Sequence, residues 1–434
     1  MSHRFPTHAV AGLAALAGLS LFPMAAQAGP FLTDKPFDIT VGAGVGTSYN
    51  AATDTITGGT VSAAFGAGNL SDLKNQITDA GLAQINASYT PTGGAVIRAG
   101  YRGLPIVLST VNNSTAVTLD IQSIGLSQTF SAQSTRDANT TDLFEYLKSS
   151  GASILNDLQK KLAEVSPIDP IAGNPSSLQS RIVTDDFDRG FTQFASNVKS
   201  DPTSEQSSGN LVGAGVTLGN VSVGGLSTTS TSIPLSYTLR NDLDPRKQLT
   251  FYAPINISDS AGARSAGINF GVSYRFPVND EWALMPSAGY GIAGSADLGA
   301  AAAMTALSLT SQYTIQLEKF DLAIGNMVGA YQTSKVSAGD YSIDPKINNT
   351  VFRNGVLASF PTLVSGRKMA FEVSFILTNY TGSALYSNRY QEVGVALGTN
   401  KGANSARSYF RAGATYLTGE NGITGARLNL GYWF

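Results

Sequence analysis

From about residue 210 to the last residue, apolar and polar positions alternate with period two. Ile268, Phe270, Val272, Tyr274 and Phe276 alternate with Gly267, Asn269, Gly271, Ser273 and Arg275. Leu249, Phe251, Ala253, Ile255 and Ile257 alternate with Thr250, Tyr252, Asn256 and Ser258, with Pro254 the odd member. Met369, Phe371, Val373, Phe375 and Leu377 alternate with Lys368, Glu372, Ser374 and Thr378. Such runs predict strands with one face in an apolar medium, either a half-buried antiparallel sheet or a membrane barrel. About twelve segments fit, each roughly long enough to cross a bilayer at a tilt. They lie near 211–223, 232–240, 247–257, 265–277, 282–293, 304–317, 320–333, 350–360, 367–380, 390–399, 405–418 and 422–434.

The first half of the chain reads differently. Residues 37–46 and 60–65 suit strands, and 71–78 suits a short helix with Ser71 as its N-cap. Tight strands follow at 96–101, 105–111, 116–122 and 124–130, with Asn112 and Asn113 in a hairpin turn because Asn tolerates positive φ. Leu143, Leu147, Ile154, Leu155, Leu158, Leu162 and Val165 recur at helical spacing, with Asp142 and Glu145 as a capping pair and Pro167 as the stop. Phe187, Phe191, Phe194 and Val198 sketch a second helix over about 186–199. The expected organisation is therefore a leader at 1–28, a β-rich domain with helices at 29–205, and a barrel at 206–434. The fold class is all-β dominated, a transmembrane antiparallel barrel of about twelve strands behind a mixed α+β domain. If the first-half strands joined the wall, at about 20 to 25 residues per strand, the barrel would hold more.

The connections offer a check. Starting the first strand from the periplasm makes 278–281 and 318–319 periplasmic turns and 334–349, the longest connection, an outer loop. An even strand number also returns the chain to the periplasm.

Composition narrows the chemistry. Charged residues make up 13% of the chain, about half the share of an ordinary soluble domain. The net charge of −2 lacks the basic footprint of a nucleic-acid binder. Arg4, the apolar run 9–22 and Ala26-Gln27-Ala28 read as a secretory signal cut between Ala28 and Gly29. Both histidines, His3 and His8, lie inside it, and the chain has no Cys. A Ser-His-Asp triad, a Cys-His nucleophile, a His or Cys zinc site and a disulfide are thereby excluded. No cofactor or metal is expected, and the chain is not expected to be an enzyme.

The last strand carries the most specific motif. Leu428, Leu430, Tyr432 and Phe434 share one face. The run Leu428-Asn-Leu430-Gly-Tyr432-Trp-Phe434 resembles the C-terminal assembly signal of Gram-negative outer-membrane proteins. With the exported first half and about twelve strands after it, the layout resembles the autotransporter type of that class over about the last 225 residues. The resemblance implies a twelve-strand barrel with a helix in its pore that serves secretion of an N-terminal passenger. It also implies as partners outer-membrane lipid, the barrel-assembly machinery and periplasmic chaperones, and location in the bacterial outer membrane. Three functions stay open: a translocator or surface protein with a short N-terminal domain, a porin-like channel with that domain as plug, and an outer-membrane hydrolase without histidine.

Candidate lumen residues follow from the face opposite the lipid-facing one. They are Arg240, Arg275, Glu372, Arg407, Arg411 and Arg427, read either as an anion-favouring stripe or as the polar lining every such pore needs. Asp185, Asp186 and Asp188 are oxygen donors suited to calcium, but a solvated helix start accounts for them without EF-hand spacing. Ser71 to Lys74 matches S-x-x-K without a K-T-G partner, and Gly42 to Gly46 is glycine-rich without a P-loop lysine. Tyr274, Phe276, Trp282, Tyr290, Tyr380, Tyr416, Tyr432 and Phe434 near strand ends are expected to form interfacial girdles.

Overall fold

The computed structural model describes residues 31–149, 152–191, 210–244, 246–338, 341–399 and 409–433. The leader with its Ala28–Gly29 cut, Arg407 and Phe434 lie outside the described residues.

The N-terminal domain is an antiparallel sheet of β1 (Phe37–Ala43), β2 (Ala95–Tyr101), β3 (Leu104–Thr110), β4 (Val117–Ile121) and β5 (Leu126–Phe130), paired in that order. Two short strands, Thr60–Val61 and Phe65–Ala67, extend it beside β1. The sheet is separate from the barrel wall, so the first-half strands do not enlarge the barrel. Helices α1 (Leu70–Gln76), α2 (Asp79–Ile85), α3 (Arg136–Ser149) and α4 (Ala152–Val165) accompany it.

Three local readings change. The N-cap of α1 is Asn69, whose side-chain oxygen accepts from the Asp72 N–H at 2.8 Å, and Ser71 sits inside the helix. The expected helix at 142–165 divides into α3 and α4 around residues 150–151, which lie outside the described residues. It also starts earlier, at Arg136, because Thr135 rather than Asp142 caps it, accepting from the Ala138 N–H at 3.2 Å. The turn between β3 and β4 does use Asn113 at φ 56°.

Buried charge organises this domain. Arg98 is 1% exposed and donates to Asp38 and to Asp54, with Nε 2.9 Å from Asp54 Oδ1. Tyr49 donates to Asp54 at 2.9 Å, which closes the hairpin of Ser48–Asn50 and Thr55–Thr57 over the sheet. Burial raises the Asp38 carboxyl above its ordinary value against the pull of Arg98. Burial and the Asp54 bond push the Tyr49 hydroxyl up to about 12.

The barrel is a closed antiparallel sheet of twelve strands. They are β6 (Leu211–Val223), β7 (Leu226–Ile233 continued by Leu235–Arg240), β8 (Gln248–Tyr252 continued by Ile255–Ser260), β9 (Ala263–Pro277), β10 (Trp282–Ser295), β11 (Ala300–Gln316) and β12 (Asp321–Ser334), then β13 (Asn348–Val364), β14 (Arg367–Gly382), β15 (Arg389–Thr399), β16 (Tyr409–Gly419) and β17 (Thr424–Trp433). Closure comes from pairing of β6 with β17, Gly213 opposite Trp433 through Ser222 opposite Thr424. The breaks in β7 and β8 have one cause. Ser236 opposes Tyr252 and Ile233 opposes Ile255, so Pro234 and Pro254 face each other and neither can donate to the ladder. Pro254 breaks the sequence alternation for the same reason.

Several strands run longer than the alternation indicates. β7 begins at Leu226 rather than 232, and β11 at Ala300 rather than 304. The added stretches are Ser/Thr-rich or Ala-rich, so their inside and outside do not differ in hydropathy. The connection 335–347 carries a small hairpin of Val336–Ala338 with Tyr341–Ile343.

The wall is apolar outside and polar inside. Phe270 and Leu307 are 54% and 58% exposed, as are, to lesser extents, Phe251, Val373, Val395 and Leu430. Asn269, Arg275, Thr310, Arg353, Thr378 and Glu392 are buried on the inner face. In water each exposed large side chain would forgo roughly 1.5–3 kcal/mol relative to burial, and lipid removes that cost. Tyr274, Phe276, Trp282, Tyr313 and Tyr432 gather toward the end where β9 stops and β10 starts; Trp282 opposes Tyr313. Tyr380 departs from the expected girdle. It is buried and points into the lumen.

The domain sits on the opposite end of the barrel. The β6–β7, β8–β9 and β10–β11 turns contribute Leu226, Ala263 and Leu298 to the domain's own apolar core. Tyr101 donates to the Leu298 carbonyl at 3.1 Å, Gln159 to that of Gly299 at 2.8 Å, and the Leu70 N–H to Asp297 at 2.8 Å.

Candidate functional site: a helix-filled lumen

Between α4 and the barrel the chain descends through the mouth. Asp169 organises this stretch: Oδ1 accepts from the Ile171 and Ala172 N–H groups at 2.8 and 3.0 Å, and Oδ2 pairs with Arg102 at 2.9 Å. The β14–β15 loop closes over it, with Tyr386 N donating to Ala163 and Ser387 N to Gly173 at 2.8 and 3.0 Å. Gly173 has φ 92°, a conformation that favours glycine.

Helix α5 (Leu178–Gly190) then runs inside the barrel. It begins well before the second helix expected at about 186–199 because Ser177 caps it, its hydroxyl accepting from the Ser180 N–H. Phe194 and Val198 lie outside the described residues. The direction of α5 follows from its contacts along β10. A Cβ at Gly291, toward the domain end, would lie 2.8 Å from Ile182; Gly190 lies against Met285, toward the other end. The helix thus leads from the domain-side mouth toward the end where β6 starts. Its apolar side, with Ile182, Val183 and Phe187, lies against small positions of β10 to β13. A Cβ at Gly355 would lie 2.9 Å from the Phe191 ring and 3.2 Å from Phe187, so glycine there makes room for both rings.

Polar straps hold the helix to β8, β11, β12, β13 and β14. Asp186, 1% exposed, accepts from Tyr331 and Ser308 at 3.0 Å each and from Tyr252 at 3.2 Å, and it pairs with Arg189. The Arg189 guanidinium lies 3.3 Å from the centre of the Tyr252 ring. Nearer the domain, Gln179 donates to Asn349 at 3.0 Å, Tyr380 to Ser180 at 3.1 Å, and Arg181 to Asn256 at 3.0 Å.

Beside α5 lies a cavity of about 140 Å³. Arg181, Asp185 and Asp188 border it from the helix, and Arg411 and Arg427 from β16 and β17. The wall charges are paired. Arg411 Nε is 2.8 Å from Glu372, Arg427 and Arg353 share Glu392, and Arg353 donates to Thr378 at 2.6 Å.

The structure thus brings Glu372, Arg411 and Arg427 together. Arg275 sits inside too, on β9, and donates to Gln312 at 3.1 Å, whereas Arg240 lies at the end of β7 away from the domain. Arg353, Glu392 and the lumen tyrosines Tyr252 and Tyr331 were missed in the sequence, although they occupy the same inward phase. The three aspartates diverge: Asp186 turns to the tyrosines, Asp185 and Asp188 to the cavity. Among the described residues no group of three or more acids, His or Cys could hold a metal. Lys74 of the S-x-x-K run lies over the Phe144 ring at 5.3 Å, a packing role. Ser177→Ala should cost about 1 kcal/mol through loss of the α5 cap, read as a lower unfolding midpoint with the barrel intact.

No family model and no curated protein sequence matches the chain. Its fold is similar to solved outer-membrane barrels. The β domain of the Bordetella autotransporter BrkA matches at 14% identity and TM-score 0.43, over 52% of this chain and 98% of that one. The translocator domain of autotransporter NalP from Neisseria meningitidis matches at 13% and 0.41, over 59% and 97%. The COG4313 outer membrane channel from Pseudomonas putida F1 matches at 14% and 0.35, over 54% and 98%. The chain folds as a closed twelve-strand antiparallel β-barrel.

Proposed function

We propose that the protein is an autotransporter-like translocator that displays its own short N-terminal domain on the bacterial surface. One observation carries this reading. The domain caps one mouth, the first barrel strand starts toward the other end, and α5 runs between them inside the lumen. A chain arranged so has its N-terminal part on the far side of the membrane from the start of its barrel. In this reading the end where β6 starts is the periplasmic one, and the domain's end faces outward. The signal peptide, Gram-negative outer-membrane location and lipid, assembly-machinery and chaperone partners belong to the proposal.

The channel alternative draws on the charged cavity, but α5 lies in the lumen bonded to several strands. That supports a closed pore. Leu428, Leu430 and Tyr432 point outward on the strand that closes the barrel, a surface an assembly machine would engage. Tyr432→Asp should lower the amount of heat-modifiable barrel in outer membranes several-fold, measured on gels of membranes from equal cell numbers.

The test is an epitope inserted between Ala51 and Ala52, an exposed hairpin tip. Protease added to intact cells should remove the tag while the barrel stays folded. Protection until the outer membrane is opened would overturn the surface reading.

A further inference from the structure

The N-terminal sheet ends in an open edge. β5 pairs with β4 on one side, and among the described residues no strand lies on the other. Ser127, Gln128 and Thr129 are exposed, while Leu126 and Phe130 are half-buried, with the Phe130 ring 5.4 Å from that of Tyr146 on α3. Unpaired edges template further pairing, and proteins that must stay single guard them with charge, proline or a bulge. This edge has no such guard. Between residues 103 and 135 the only charged side chain is Asp120, and it belongs to β4.

The edge is also self-complementary. Read Leu-Ser-Gln-Thr-Phe against an antiparallel copy centred on Gln128. Leu126 then faces Phe130, Ser127 faces Thr129, and Gln128 faces Gln128. The flanking pairs match apolar with apolar and hydroxyl with hydroxyl, both favourable across strands, and the central pair sets amide against amide. A parallel copy lacks that symmetry. Direction adds the consequence. The barrel-proximal end of the sheet holds Tyr101, bonded to the Leu298 carbonyl. The register Tyr101–Leu104, Val107–Asp120, Ile121–Leu126 carries that end across to Leu126, so β5 leads away from the barrel. The β5 of an antiparallel partner runs toward the first barrel and away from its own, which places the two barrels at opposite ends of the joined sheet.

We propose that β5 is a homotypic docking edge: two copies of this chain in opposed membranes pair through it antiparallel and join the cells that carry them. The claim that cells are joined rests on the surface reading above; the pairing itself does not.

The chain has no Cys, so Gln128→Cys supplies a single reporter at the proposed two-fold. Purified full-length Gln128→Cys in detergent micelles should oxidise to a disulfide-linked dimer, and Ser123→Cys, exposed but off the edge, should not. Failure of Gln128→Cys to cross-link, with the barrel folded by heat-modifiable mobility, overturns the pairing whichever side the domain occupies. Vesicles carrying the wild-type chain with the domain outward should cluster, and Gln128→Lys should abolish clustering. Dimers without clustering would mean pairing within one membrane and would overturn the opposed-membrane geometry. Protection of the 51/52 tag on intact cells, with dimers in micelles, would instead remove only the cell-joining role.

Discussion

Asp186→Ala is expected to turn a quiet barrel into one that opens repeatedly. The substitution strips the acceptor from Tyr252, Ser308 and Tyr331 and leaves Arg189 buried without its carboxylate. Breaking a buried pair in that way costs about 3–5 kcal/mol. The barrel wall keeps its ladder in either state, so the loss falls on the seated position of α5. At tenfold per 1.4 kcal/mol, the unseated population rises at least a hundredfold. Single-channel recording in planar bilayers should show opening events at correspondingly higher frequency, with heat-modifiable mobility unchanged. Asp186→Asn keeps an acceptor of the same size and should open less often. Opening at wild-type frequency in Asp186→Ala would mean that the straps do not hold the helix.

Arg102→Met should undock the domain from the mouth. Arg102 is fully buried, pairs with Asp169 at 2.9 Å and reaches Gln159 at 3.3 Å, so it ties the β2–β3 turn to the descending chain and to α4. Its loss leaves Asp169 buried and unpaired, again at a cost of about 3–5 kcal/mol. Limited proteolysis should then cut between residues 166 and 177 at least tenfold faster, while the isolated barrel fragment stays resistant. Adding Asp169→Leu should restore part of the resistance, because removing both charges costs less than stranding one. Equal cleavage rates in wild type and Arg102→Met would show that the apolar contacts of Leu226, Ala263 and Leu298 hold the domain alone.

The barrel was legible because lipid on one face and a polar lumen on the other impose a period of two that Phe270, Val272 and Tyr274 display directly. Strand ends such as 226–231 and 300–303 were not, because Ser, Thr and Ala leave no contrast between faces. The pore helix was placed too late in the chain, at about 186–199 rather than Leu178–Gly190. Hydrophobic spacing favoured 142–165, which packs on the domain, since a helix inside a polar lumen shows only a narrow apolar side. Ser177 was a local cap signal, but Gly291 and Gly355 make room for the helix only once distant strands are aligned. Lumen charges were half visible: inward phase pointed to Arg411, Arg427 and Glu372, whereas sharing of Glu392 by Arg353 and Arg427 depends on strand order across the wall.

The central claim is that the chain reaches its first strand through the barrel, and a short thiol cross-link in assembled protein tests it most directly. Ile182→Cys with Gly291→Cys suits this because a Cβ at Gly291 lies 2.8 Å from Ile182 Cδ1, and shortening Ile182 makes the room. In outer membranes a short bifunctional thiosulfonate should join the two positions in most folded molecules, and neither single variant should react internally. Absence of the cross-link in folded barrels would place α5 outside the lumen and contradict the account.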